Sequence, residues 1–291
     1  MTTINIGTRK SKLAMWQTEL VVGILAENGM ASTVNSMETI GDKILDTSIA
    51  KIGSKGVFTA ELEEQLLAGI TDIAVHSAKD MQSQLPEQFA LIAFTPREKV
   101  NDVLLSDDTG VDIDNSSKPL VIGTSSVRRR AFLQHYYPHV TVVEMRGNLQ
   151  TRLRKMHEGA CDALMLAYAG VKRMGYDNLI VREFPADQFV PPVGQGCIAI
   201  EAARSLDPAK KEQVRRAVND LESEVCLLAE RAFLKKLEGG CSIPAFGYCR
   251  REGSELILTA GLASLNGATM LRVEQRGAVA EPLQLGVSVG E

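Results

Sequence analysis

Short apolar runs alternate along much of the chain with polar clusters and stretches of helical spacing, the layout of repeated α/β units. Thr3-Ile4-Asn5-Ile6 has strand character and runs through Gly7-Thr8-Arg9-Lys10-Ser11 into a predicted helix. Leu13, Trp16, Leu20 and Ile24 fall at helical spacing there, and Ser11 stands where an N-cap belongs. Further strands are predicted over 33–39, 72–75 and 89–94. Residues 41–57, rich in Gly, Lys and Asp, read as a long functional or mobile loop before a helix over 59–68. A second block begins near Asn101, with strands over 121–123, 140–143 and 163–166. Pro191-Pro192-Val193-Gly194-Gln195-Gly196 reads as a junction returning the chain to its first block, where 198–200 resumes strand character. A helical stretch over 208–237 follows, and beyond Gly239-Gly240-Cys241 strand patterns such as 256–260 predict a small third α/β domain.

Polar clusters therefore recur just after strand ends, the edge at which open α/β sheets bind ligands. Two of them concentrate arginine: Gly123-Thr124-Ser125-Ser126-Val127-Arg128-Arg129-Arg130, and Arg146-Gly147-Asn148-Leu149-Gln150-Thr151-Arg152. The 291-residue chain has a net charge of −4, so these clusters predict a defined anion site and not a broadly basic surface. Arginine forks match carboxylate or phosphate geometry, and the Ser, Thr and Gly neighbours add hydroxyls and exposed N–H groups. Aromatic content of 5% and the acidic balance argue against a nucleic-acid binder. Residues 1–30 lack a signal-peptide layout, and no apolar run approaches the roughly 20 residues of a membrane span, so a cytoplasmic protein without a membrane partner is expected. Five scattered cysteines fit a reducing compartment, and the four histidines share no ligand spacing with them, so no metal is expected.

Each motif admits a plainer reading. Arg128-Arg129-Arg130 could be a solvated helix face, although the Thr-Ser-Ser step before it joins N–H groups, hydroxyls and a helix dipole. Arg146 and Arg152 could flank a helix start capped by Asn148 with their side chains in water. His76-Ser77-Ala78-Lys79-Asp80 is either a turn with an adjacent ion pair or a cation and a carboxylate set for anion binding and proton work. Cys241 is either a buried small side chain or, after two glycines, an exposed thiol that nearby cations would make nucleophilic. Cys161, Cys226 and Cys249 read as core.

Taken together, Gly7-Thr8-Arg9, His76-Ser77-Ala78-Lys79-Asp80, Gly123-Thr124-Ser125-Ser126, Arg128-Arg129, Arg146-Gly147-Asn148, Thr151-Arg152, Val193-Gly194-Gln195-Gly196 and Glu238-Gly239-Gly240-Cys241 resemble the porphobilinogen deaminase (hydroxymethylbilane synthase) family. The resemblance implies three α/β domains, the first two like the halves of periplasmic binding proteins with a double crossover: 1–96 plus 197–215, 101–190, and 219–291. It implies a transferase of tetrapyrrole (haem) biosynthesis that joins four porphobilinogen molecules head to tail, loses ammonia, and releases hydroxymethylbilane with water. The chain would grow on a dipyrromethane cofactor held by a thioether to Cys241. The resemblance makes Asp80 the catalytic carboxylate. It assigns Ser77, Lys79, Thr124, Ser126, Arg128, Arg129 and Arg146 to the cofactor, and Arg9, Ser11, Phe58, Arg152, Arg173 and Gln195 to porphobilinogen or the growing polypyrrole. Residues 43–58 resemble the family's mobile lid, and a monomer is implied. The chain departs in carrying Ser54 in the lid and Cys197 after Gln195-Gly196, and its third domain is expected to lack part of the family's C-terminal helix. The alternative is a non-catalytic, binding-protein-like receptor for a polycarboxylate anion.

Overall fold

A computed structural model describes residues 2–39, 41, 59–238 and 243–291, so the expected lid residues 43–58 with Phe58, and Cys241, lie outside the described residues. The first domain is built on a five-stranded sheet of β1 (Thr3–Arg9), β2 (Ala31–Met37), β3 (Ile73–Ser77), β4 (Phe89–Phe94) and β10 (Ile198–Ala203), in the order β2-β1-β3-β10-β4. β1 runs parallel to β2 and β3, whereas β10 is antiparallel to β3 and β4. Helix α1 (Lys12–Glu27) covers one face with Val21 and Leu25 over Ile4, Ile6, Val75 and Ile200; α2 (Ala60–Leu67) puts Leu62 and Leu66 against the other.

The buried face of α1 is turned from the Leu13, Trp16, Leu20 and Ile24 spacing: Ala14, Gln17, Thr18, Val21 and Leu25 are buried, Trp16 and Ile24 pack partly buried against the same core, and Leu20 is 39% exposed. Polar side chains belong on that face because strand ends receive them. The Thr18 hydroxyl donates to Thr8 Oγ1 on β1 at 2.7 Å, and Gln17 Nε2 donates to Ser77 Oγ on β3 at 2.9 Å. A stripe counted from apolar residues alone misses a face partly held by hydrogen bonds. Ser11 does cap the helix, accepting from the Ala14 N–H at 3.3 Å.

The second domain repeats the plan with β5 (Asp102–Leu105), β6 (Val121–Gly123), β7 (Thr141–Val143), β8 (Ala163–Ala167) and β9 (Ile180–Glu183), in the order β7-β6-β8-β5-β9. β6 is parallel to β7 and β8; β5 is antiparallel to β8 and β9. Helix α3 (Val127–Tyr136) lays Phe132 and Leu133 on one face, and α4 (Leu149–His157) lays Leu153 and Met156 on the other. Helix α5 (Tyr168–Arg173) follows β8. In each sheet the fourth place belongs to the strand that has just crossed from the other domain: β5 after the first crossing, β10 after the second. The two sheets are thus paired and crossed twice. Gly196, at the second crossing, has φ +94, and a Cβ there would stand 2.3 Å from the Glu98 carbonyl of the first. Only glycine lets the two crossings lie this close.

The helical stretch expected over 208–237 consists of two helices, α6 (Pro208–Val218) and α7 (Leu221–Lys236). Asn219 and Asp220 part them, because the Asn219 Oδ1 accepts from Phe94 N–H at 3.0 Å, and the Asp220 N–H donates to Phe94 O at 2.8 Å. The Asp220 carboxylate then caps α7 through the Ser223 N–H at 2.7 Å. Periodicity carries through such a break, since two capped helices in sequence keep the same spacing. The third domain is an antiparallel sheet of β11 (Ala245–Glu252), β12 (Glu255–Ala263) and β13 (Met270–Ala278), covered by α7 and by α8 (Pro282–Gly290). The α/β reading of three domains is thus borne out, and Pro282–Gly290 forms a helix packed on α7.

Glu230 of α7 fastens the three parts together. Its fully buried carboxylate accepts from Arg97 on the first crossing, from the Gly194 N–H on the second at 2.9 Å, and from the Cys249 N–H on β11 at 2.8 Å. Glu230→Ala strands a buried guanidinium and two N–H groups, and should cost about 3–5 kcal/mol. Glu230→Gln, which keeps an acceptor oxygen, should cost less. The urea midpoint checks this; an alanine variant with the parental midpoint would remove Glu230 from this role.

Candidate anion-binding and catalytic site

The ends of β1 and β3 face a cleft lined by Arg9, Ser11, Gln17, Ser77 and Asp80. Ser77 closes β3 and leads into a 3₁₀ turn over Ala78–Asp80, which sends Lys79 toward the crossings: its Nζ donates to Gln195 Oε1 at 3.4 Å. Gln195 is 1% exposed, and its Nε2 donates to Val100 O at 2.7 Å and Asp102 Oδ1 at 3.1 Å. His76 turns away from this chemistry to Glu201 on β10, with Nε2 3.0 Å from Oε2.

In the second domain the hydroxyls of Thr124 and Ser126 shape the start of α3. Thr124 Oγ1 accepts from the Ser126 N–H at 3.3 Å, and Ser126 Oγ from the Arg129 N–H at 3.4 Å. Arg128 and Arg129 are no solvated helix face, being 3% and 6% exposed. Both meet Asp102, the first residue of β5: Arg128 Nη2 binds Oδ2, while Arg129 Nε and Nη2 bind Oδ1 at 3.1 and 2.8 Å. Burial alone would raise the Asp102 pKa, but the two guanidiniums hold it well below the usual carboxylate range.

Asn148 does cap α4, accepting from the Thr151 N–H at 2.9 Å, but the neighbouring arginines are not in open water. Arg146 Nε donates to Glu144 Oε1 at 3.1 Å, and Arg152 Nε to the Gly147 carbonyl at 2.8 Å. Burial first, then the like charges of Arg129 and Arg146, bring the Arg152 pKa down to about 10, although Asp80 and Glu144 pull the other way. Lys79 is lowered to about 8 by burial first, then by Arg129 and Arg152, against Asp80 and Asp102. Lys79, Arg129 and Arg152 therefore stand within electrostatic reach of one another and of Asp80, the arrangement that an incoming polyanion relieves. Arg173 lies between the domains: its Nη2 donates to Gly196 O at 2.7 Å, and its guanidinium is 5.5 Å from the centre of the Trp16 ring.

Sequence reading missed Asp102 and Gln17. Asp102 heads the apolar run Val103-Leu104-Leu105, and a carboxylate opening a buried strand needs a cation; that was the available signal. Gln17 had none. Cys161, Cys197, Cys226 and Cys249 are buried, and burial pushes the Cys197 thiol up to about 11, so it is no ready nucleophile.

Fold and site define a three-domain α/β protein in which Arg9 and Asp80 line a cleft at the strand ends of the first domain, and Lys79 beside them feels Arg129 and Arg152 of the second. Two family profiles match it: "Porphobilinogen deaminase, dipyromethane cofactor binding domain" over residues 4–211, and "Porphobilinogen deaminase, C-terminal domain" over 224–291. The porphobilinogen deaminase of Desulfosudis oleivorans is 55% identical over 287 residues, 99% of this chain and 93% of that one. That of Cytophaga hutchinsonii is 52% identical, with 99% and 92% covered, and that of Synechococcus sp. strain CC9902 is 43% identical, also with 99% and 92% covered. The chain belongs to the porphobilinogen deaminase family. The non-catalytic receptor gains no support from these matches. The residues suit a carboxylate-rich cofactor: besides the mutually opposed cations, Arg128 Nε is buried with no hydrogen-bond partner among the described residues.

The lowered Lys79 pKa fixes a pH dependence. An unfolded lysine keeps its proton to about pH 10.4, whereas folded Lys79 releases it near 8. Between these values the unfolded state binds more protons, so stability rises with pH; below 8 the full penalty remains. The parent should gain stability between pH 8 and 10 relative to Lys79→Met. Urea midpoints of both proteins across that window, running parallel, would contradict the shift.

Proposed function

We propose that the chain condenses four porphobilinogen molecules head to tail with release of ammonia, and frees the linear tetrapyrrole with water. The dipyrromethane, bound through a thioether to Cys241, supplies when present the pyrrole carbon on which the chain grows. The observation that carries this reading is the half-buried pair Lys79 and Arg152, each lowered by burial and by Arg129 and each drawn the other way by Asp80. Each porphobilinogen brings an acetate and a propionate, so a growing chain needs several separate cationic forks. Arg128, Arg129 and Arg146, with Ser77, Lys79, Thr124 and Ser126, take the carboxylates of the cofactor. Arg9, Ser11, Arg152 and Arg173 take those of substrate and elongating chain, which Gln195 and Phe58 also contact.

Loss of ammonia leaves positive charge on the pyrrole system, and Asp80 is the carboxylate placed to stabilise it and to accept the proton lost as the new carbon–carbon bond forms. A covalent tether keeps each addition a positioned encounter. Among the described residues no helix is long and apolar enough to cross a membrane. We infer a cytoplasmic monomer that acts on these small polycarboxylates, with neither nucleic acid nor membrane as partner.

Intact mass tests the reading directly. The parent should carry the added mass of two pyrrole units, and Cys241→Ser should lack it and show little activity. An unmodified parent, or an adduct on Cys197, overturns the assignment. Asp80→Asn, nearly isosteric, should lower turnover by about 10²-fold or more while a preassembled cofactor still attaches. Near-parental turnover in that variant removes Asp80 from the chemistry.

A further inference from the structure

Asp102 is fully buried, opens β5, and belongs to none of the motifs that carry the family resemblance. Four donors converge on its two oxygens: Arg128 Nη2, Arg129 Nε and Nη2, and Gln195 Nε2. Arg129 spends one edge of its guanidinium on this carboxylate, and its Nη1 also donates to Met165 O at 3.1 Å. Among the described residues this leaves one N–H on each terminal nitrogen of Arg129 for a further acceptor such as a carboxylate. Arg128 is tied down in the same way, through Nη1 to Val190 O at 3.0 Å and by its guanidinium 5.4 Å from the Phe132 ring centre. Two adjacent buried arginines without Asp102 would carry two uncompensated charges; with it the group carries one.

We propose that Asp102 is a positioning residue for the anion site: it clamps Arg129 from behind, fixes its remaining N–H pair beside Lys79 and Arg152, and sets the arginine pair to accept a single carboxylate. This rests on the functional reading above and deepens it. The same carboxylate is linked through Gln195 to Lys79, so the clamp spans both domains and the second crossing. The charged groups that act on Lys79 are Asp80 in its own turn, Asp102 on β5, Arg129 on α3 and Arg152 on α4. Asp102 is one of the two that favour the Lys79 ammonium, so removing its charge should also alter how Lys79 titrates.

The test compares Asp102→Asn, which keeps shape and loses charge, with Asp102→Glu, which keeps charge. In Asp102→Asn an unpinned Arg129 should slow cofactor loading by roughly tenfold and, by disturbing Arg152 beside it, raise KM for porphobilinogen, with kcat of the loaded enzyme changed less. The alkaline limb of its pH–rate profile should move to lower pH. In Asp102→Glu that limb should stay at the parental position even if packing costs stability, a split that a purely structural role does not produce. Asp102→Asn with parental KM, loading rate and alkaline limb overturns the proposal, as does an equal shift of the limb in both variants. Failure of both variants to fold, judged by circular dichroism, makes Asp102 a determinant of folding alone and also overturns it. A parent that carries no two-pyrrole adduct and turns over no porphobilinogen refutes the functional reading itself, which is a different outcome from an active parent with an unaffected Asp102→Asn.

Discussion

Two consecutive arginines are buried in the second domain, and the carboxylate of Asp102 makes that possible. Charged groups leave water at a cost of several kcal/mol each unless their partners replace the lost hydration. Asp102 receives hydrogen bonds from both guanidiniums, and backbone carbonyls of Val190 and Met165 take further donors. The consequences spread outward. Helix α3 must start where Ser126 can cap it and where both arginines reach β5; Gln195 must return past the same carboxylate; and Lys79, across the cleft, is held by that glutamine.

The double crossing gives this network its setting. Each sheet is completed by a strand arriving from the other domain, so the two crossings run side by side and close to the cleft. Arg97 on the first donates from Nε to the Gln195 carbonyl on the second at 2.9 Å, and Glu230 binds both crossings to the third domain. The segment that holds Cys241 joins α7, which carries Glu230, to β11, which carries Cys249. The third domain is therefore anchored at the same junction that holds Gln195 and Lys79, and not at a remote surface.

The electrostatics of the cleft follow from crowding. Lys79 and Arg152 are half-buried, face Arg129, and have lowered pKa values for the same two reasons: lost hydration and like charge. Cations crowded in this way sit at higher energy than in water, a cost that a carboxylate placed beside them would relieve. Asp80 acts on both Lys79 and Arg152 and favours their charged forms.

Much of this was legible in the chain itself. The apolar runs at Ile73-Ala74-Val75, Phe89 to Phe94, Val121-Ile122-Gly123 and Ala163 to Leu166 became strands because buried strands of an α/β sheet have few ways to be written. The caps at Ser11 and Asn148 were readable because a cap acts over three residues. The arginine clusters pointed to an anion because their chemistry is local. What the sequence could not decide was which side chains meet across long separations. The buried face of α1 includes Gln17 and Thr18 because strand ends supply partners for them, and no periodicity encodes a partner. The 208–237 region breaks in two because Asn219 and Asp220 pair with Phe94, more than a hundred residues away. Arg128 and Arg129 are buried and not hydrated because a single aspartate, distant in sequence, arrives beside them when β5 inserts next to β8. The sequence by itself determined the elements and the kind of charge they carry; only the tertiary structure decided which charges are neutralised within the protein and which are left facing the cleft, because neutralisation depends on distance in space and burial, and neither is a property of neighbouring residues.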